Sequence, residues 1–242
     1  MRAPRNYGRP VGQSAPAVPV GYARRHTLRV SEAFSTARVQ AAYDVVARDY
    51  RAAFGDDLRR LPLDRRLLDE VVRDATGGVV LDLGCGTGSA GSYMAAQGAR
   101  VVGVDISAGM LEACRSDNRF PLCRGDMRRL PFGDAVFAAA VAFYSVHHVR
   151  RPELGLVLAE AARVLGSRGR LLLATHLGEG EIYTDTFLGH PIATTGGTLY
   201  SPREITDQVA SAGFAAVTTE RRAPLAHEHQ TERIYLLAER TG

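Results

Sequence analysis

Apolar residues along the chain change their spacing twice, and the changes divide it into parts. From Ser31 to about Ala75 they recur at helical intervals. Ser31 is placed to cap a first helix that has Phe34 three positions on and carries Tyr43, Val46 and Tyr50. A second helix starts near Leu63-Asp64, after Pro62, and runs through Leu67, Leu68, Val71 and Val72. Beyond residue 78 short apolar runs alternate with helical segments. Val79–Leu83, Val101–Val104, Phe120–Met127, Ala135–Phe143 and Arg170–Thr175 read as strands buried on both faces, the signature of a parallel sheet. Between them lie helices over Ser89–Gln97, over a segment capped by Ser107 with Met110, Leu111 and Cys114 inward, and over Pro152–Leu165. Ser201-Pro202-Arg203-Glu204 opens another helix with a capping box and a proline at its first position. Phe214–Glu220 and Arg233–Glu239 follow as an antiparallel pair. The pattern predicts a three-layer α/β sheet of seven strands, five parallel plus the terminal pair. Residues 176–200, rich in Gly, Thr and His, show no clear periodicity and read as a long functional loop.

The chemistry concentrates after the first of these strands, in Val79-Val80-Leu81-Asp82-Leu83-Gly84-Cys85-Gly86-Thr87-Gly88. Glycines there permit positive φ and let a ligand approach the backbone, and the N–H groups of the next helix point at whatever sits above them. Asp105 ends the second strand, where a carboxylate can take both hydroxyls of a ribose. Gly86-Thr87-Gly88-Ser89-Ala90-Gly91 also satisfies G-x-G-x-x-G. Asp82 argues against a dinucleotide, because it would repel a pyrophosphate. It would welcome the amino group of S-adenosylmethionine.

The run Leu81-Asp82-Leu83-Gly84-Cys85-Gly86-Thr87-Gly88 resembles the first motif of class I S-adenosylmethionine-dependent methyltransferases. The resemblance extends over about residues 40–240 and implies a Rossmann-like fold with an N-terminal helical lid. Together with the Arg/Pro-rich composition of the N-terminus, it divides the chain into three segments: an arm (1–30), the lid (31–77) and a methyltransferase core (78–242). It further implies cofactor contacts from Asp82, Gly84, Cys85 and Gly86 in the loop, and from Asp105, Ile106 and Met110 after the second strand. Asp126 would accept from the adenine amine, with Met127 packing on the ring; Phe143 and His148 would complete the site. In Tyr43-Asp44-x-x-Ala47-x-x-Tyr50 the tyrosines either approach the methionine end of the cofactor or dock the helix on the sheet. The acceptor would face Tyr144, His147 and His176, whose imidazoles titrate near neutral pH and suit a general base or a positioning donor.

Composition narrows the partners. All 30 basic residues are arginine, which excludes lysine chemistry. The net charge of +4 is uneven: residues 1–30 hold six of the arginines and no acid, which leaves the rest of the chain at −2. That remainder has no basic surface suited to nucleic acid, so the expected partner is a small-molecule acceptor in bacterial specialised metabolism. An RNA or protein substrate tethered by the arm, and a non-methylating member of the fold, are the competing readings. Cys85, Cys114 and Cys123 have no metal spacing and suit a reducing compartment. With no signal-peptide core and no apolar run able to span a membrane, a cytoplasmic monomer or homodimer is expected. The arm itself, with four prolines and three glycines in 30 residues, is expected to be flexible.

Overall fold

The computed structural model describes residues 21–22, 30–115, 120–226 and 228–242. Strands β1 (Gly21–Tyr22), β2 (Val79–Leu83), β3 (Arg100–Asp105), β4 (Leu122–Arg124) and β5 (Phe137–Phe143) come first. They are followed by β6 (Leu165–His176), β7 (Glu181–Phe187), β8 (His190–Thr198), β9 (Phe214–Arg222) and β10 (Arg233–Arg240). The helices are α1 (Val30–Ala33), α2 (Thr36–Phe54), α3 (Pro62–Asp74) and α4 (Ser89–Ala96). They continue as α5 (Ala108–Arg115), α6 (Leu154–Val164) and α7 (Pro202–Ser211).

Seven strands form the main sheet in the order β4-β3-β2-β5-β6-β10-β9. The first five are parallel, with Val80 opposite both Val101 and Ala139, and β10 runs antiparallel between β6 and β9. The fold class is therefore the expected one. Side chains alternate between two cores: Leu81, Leu83, Ala140 and Leu173 pack on the α6 and α7 side, and Val80, Val141, Leu172 and Tyr235 on the α3 and α4 side. The strand order reverses between β2 and β5, and the C-terminal ends of β2 to β6 open on one rim, where ligands of such sheets bind.

Three segments depart from the sequence expectation. The first helix does not run on from Ser31. The chain breaks at Phe34, and α2 starts afresh at Thr36 after an extended Ser35. The reason is Phe34, which is buried against Gly196 so closely that a Cβ there would lie 2.4 Å from the ring. Second, β6 begins at Leu165, earlier than Arg170, because Arg168 adopts φ 60° and the strand passes through an irregularity instead of a turn. Third, residues 176–200 are not a loop. They form the hairpin β7–β8, joined to β1 in a separate three-stranded sheet. Leu188 and Gly189, both at positive φ, link Phe187 to His190 in a two-residue turn. Apart from β1, the arm lies outside the described residues.

Close packing at the sheet's centre makes Gly103 a sensitive position. A Cβ added there would sit 2.9 Å from Cys85 Sγ, Leu122 and Phe120 alike. Gly103→Ala is expected to cost about 1–3 kcal/mol, as overpacking of a filled core does. The loss should appear as a lower urea midpoint at unchanged m-value, and an unmoved midpoint would contradict the packing described.

Candidate active site

The glycine loop takes its shape from positive φ at Gly84 (69°), Gly86 (52°) and Gly88 (83°). At Gly84 the close approach matters as much as the angle, since a Cβ would meet Ser145 at 2.4 Å and the Met127 methyl at 3.2 Å. The loop leads into a cavity of about 410 Å³ on the rim. Asp82 stands at its floor, 2% exposed, accepting from the Gly91 N–H at 2.9 Å. Burial, reinforced by Asp105, overrides that hydrogen bond and pushes its carboxyl up to about 7. Asp105 at the end of β3 accepts from Gly86 N–H and Ser107 N–H, each at 2.8 Å. Burial raises its pKa despite both bonds. Two carboxylates, Asp82 buried and Asp105 half-buried, thus flank the loop, with no ion-pair partner among the described residues.

All the other cofactor candidates line the cavity, and several of them also make contacts elsewhere. Gly86, Ile106, Met127 and Phe143 line the cavity with the acids. Met110 is 1% exposed and packs with Val46 and Ala47 beneath α2, so its main contact is with that helix. The Cys85 thiol turns under the loop against Cys114 and Gly103; contact with Cys114 and burial hold it protonated. Asp126 faces the cavity but is already engaged. Arg128 Nη2 donates to its Oδ2 at 2.7 Å, and the Arg128 N–H and Nε donate to Oδ1 at 2.9 and 3.0 Å. Burial is outweighed by these bonds, and the carboxyl stays below its usual range. An adenine amine would have to displace the one loose partner, the Thr36 hydroxyl at 3.5 Å.

Helix α2 lies across the cavity and is pinned by a residue next to one of the predicted tyrosines. Asp44 accepts from Ser107 Oγ at 2.6 Å and from Gly109 N–H at 2.8 Å, tying α2 to the start of α5. Tyr43 and Tyr50 stack edge-on with each other and with Phe187 of β7. They line the cavity and also pack α2 against the hairpin. The Tyr43 hydroxyl lies 2.5 Å from His148 Nε2, and His148 Nδ1 lies 3.1 Å from the Gly196 carbonyl. A carbonyl only accepts, so Nδ1 carries the proton and Nε2 accepts from Tyr43. One neutral ring thereby joins α2, the end of β5 and the hairpin.

The three residues expected to face the acceptor do come together. His147 packs against His148 and His176, with centroids 3.9 and 5.1 Å apart, and the Tyr144 ring lies 5.4 Å from His176. Burial pushes His148 to about 4 and His176 to about 3, and His147 well below its ordinary value, so all three are neutral at pH 7. His176 Nδ1 is held by Thr231 Oγ1 at 2.7 Å, whereas His147 Nδ1 is buried without a partner among the described residues. Tyr144, at φ 51°, turns its hydroxyl toward Tyr235, at 2.6 Å. Behind it stands a set of residues that the sequence did not single out: Asp64, Arg222, Glu228 and Tyr235.

A family model described as "Methyltransferase domain" matches residues 80–169. This span runs from the glycine loop through β5 and α6. Over this span the chain is similar to a methyltransferase domain. Over 146 residues it is 34% identical to a demethylmenaquinone methyltransferase of Clavibacter sepedonicus, covering 56% of this chain and 57% of that one. Over 95 residues it is 42% identical to the enzyme of the same name from Corynebacterium kroppenstedtii, covering 39% and 40%. The chain thus spans about half the length of these relatives, 57% of one and 40% of the other. Among solved structures, the domain with its hairpin superposes on Burkholderia thailandensis 1,6-didemethyltoxoflavin-N1-methyltransferase, which was solved with 1,6-didemethyltoxoflavin and S-adenosylhomocysteine bound. The TM-score is 0.67 at 20% identity, with 94% of this chain and 97% of that one covered. The [4+2]-cyclase SpnF shares the fold at TM-score 0.55 and 19% identity, covering 73% of this chain and 80% of that one. Fold alone therefore does not fix the reaction.

Proposed function

We propose that this chain transfers a methyl group from S-adenosylmethionine to a small-molecule acceptor. The observation that carries the reading is the pair of acids beside the glycine loop, buried Asp82 and half-buried Asp105, which open into a chamber covered by α2 and the hairpin. The residues present fit the cofactor. Asp82 lacks a cation and suits the amino group, and Asp105 suits the ribose hydroxyls. When bound, the cofactor supplies a methyl carbon on a positively charged sulfur, open to in-line attack. The chain's own task is alignment: it holds the acceptor against that carbon and keeps water out. Neutral His147 and His176 can orient an acceptor or accept its proton, and the apolar side chains Phe34, Ile182 and Ile192 line the same chamber. A cavity of about 410 Å³ beneath α2 and the hairpin favours a small acceptor over RNA or protein.

No helix among the described residues is long and apolar enough to cross a membrane. Three free cysteines fit the reducing cytoplasm, where a monomer or homodimer would act. The test is to supply the protein with methyl-labelled S-adenosylmethionine and the low-molecular-weight fraction of a bacterial extract. Label in a small product, with release of S-adenosylhomocysteine, is expected. Cofactor binding with neither product nor release would reject methyl transfer and favour a cyclase-like use of the fold.

A further inference from the structure

Behind the chamber wall a chain of hydroxyls leads to a sealed carboxylate. Asp64, in the first turn of α3, is 0% exposed, and it lines the cavity together with Tyr144. Its Oδ2 accepts from the Tyr235 hydroxyl at 3.0 Å, while its Oδ1 accepts from no other described residue. A carboxylate only accepts, so the Tyr235 proton points at Asp64, and the 2.6 Å contact must be Tyr144 donating to Tyr235. The direction of both bonds is thus fixed, from the chamber inward. Arg222 runs alongside, with Nε 3.1 Å from the Tyr235 oxygen and Nη2 3.4 Å from that of Tyr144. Its own charge is matched by a two-pronged pair with Glu228, at 2.6 and 2.8 Å.

We infer that Tyr144, Tyr235 and Asp64 form a proton exit from the acceptor chamber, and that the acceptor is a compound that gives up an O–H or ring N–H proton as it is methylated. The inference rests on the proposed methyl transfer. As the acceptor atom forms its bond to the methyl carbon, the S–CH3 electron pair returns to sulfur and the acceptor's O–H or N–H bond breaks. That proton passes to the Tyr144 oxygen, the Tyr144 proton to Tyr235, and the Tyr235 proton to Asp64, which ends as a carboxylic acid. Methyl transfer removes the cofactor's positive charge, and the proton removes the carboxylate's negative charge. The site is therefore left with no new unpaired ion. Arg222 favours the passing negative charge on the phenol oxygens. Burial raises the Asp64 pKa against the hydrogen bond from Tyr235 and the charge of Arg222, with Glu228 adding to the rise, which favours proton uptake there. Asp64 and Tyr235 act through Tyr144 and are positioning residues.

The experiment compares wild type, Asp64→Asn and Tyr235→Phe with methyl-labelled S-adenosylmethionine and the same extract fraction. Asparagine still accepts the Tyr235 bond but cannot take the proton, and phenylalanine breaks the chain while keeping the ring. Both variants are expected to bind S-adenosylhomocysteine as wild type does. Their kcat should fall by about 10²-fold, with loss of the solvent deuterium isotope effect and of the acid limb of the pH profile. A second readout needs no turnover. In infrared difference spectra against Asp64→Asn, the Asp64 carboxyl should titrate at lower pH with S-adenosylmethionine bound than with S-adenosylhomocysteine, because only the former carries the sulfonium charge. Folded variants with wild-type kcat and isotope effect, or identical titrations in the two complexes, would overturn the proton exit and leave methyl transfer standing. A wild type that binds cofactor but methylates nothing would reject both.

Discussion

Asp82→Asn is expected to make the cofactor-free protein more stable at pH 8, by on the order of 4 kcal/mol, while abolishing most of its affinity for S-adenosylmethionine. The sign follows from the direction of the shift. In the fold the carboxyl sits at about 7, above the ordinary 3.8, because it is buried with only one amide donating to it. Ionising it therefore favours the unfolded chain. Its contribution to stability is whole below about pH 3.8, shrinks as the pH rises through the folded value near 7, and is flat above that. Asparagine keeps an acceptor for Gly91 and has no charge to bury. The gain over wild type should grow from pH 5 to 7 and then level off, as read from urea unfolding at each pH. The histidines titrate in both proteins and cancel in the comparison, whereas Asp105, which helps to raise Asp82, is relieved of that charge in the variant and adds to the gain. Parallel stability curves, or unchanged cofactor affinity in the variant, would show that Asp82 is not a strained site waiting for a cation.

Asp105→Ala should weaken binding as well. Both of its oxygens hold backbone amides, Gly86 on one side and Ser107 on the other. Removing them frees the glycine loop as well as the proposed ribose contacts. The expected loss is roughly 1.5–3 kcal/mol of binding free energy, since charge-assisted hydrogen bonds are removed. Calorimetry with S-adenosylhomocysteine measures it directly. Asp105→Asn should retain part of the affinity, because one carboxamide oxygen still accepts. A folded Asp105→Ala that binds as wild type does would remove the ribose assignment.

What could be read in advance depended on how local the cause was. The parallel strands announced themselves because strands buried on both faces are apolar throughout, and Asp105 was conspicuous at the end of one. The helix break at Phe34 was hidden, since it answers to Gly196, 162 residues away in sequence. The hairpin was hidden because both faces of β7 are half-buried, which erases the alternation that marks a strand. Its turn did leave a trace in Leu188-Gly189, but leucine is a rare choice at positive φ. Asp44 stood inside a motif noticed for its tyrosines, and its pinning role needed the start of α5 to be visible. Asp64 read as an acid in a helix's first turn. Only the packing of α3 against β10 brings it to Tyr235.

Entry and exit of the hairpin are tied together. Gly178 N–H donates to the Tyr200 carbonyl at 3.1 Å, and Tyr200 N–H donates to that of His176 at 3.3 Å. The segment thus leaves the sheet and rejoins it at one point, with Tyr200 fully buried as the anchor. Such a graft can change length or sequence without disturbing the register of β6 or the start of α7. Descendants of this chain could exchange one acceptor for another by rewriting some twenty residues, and inherit the nucleoside half untouched.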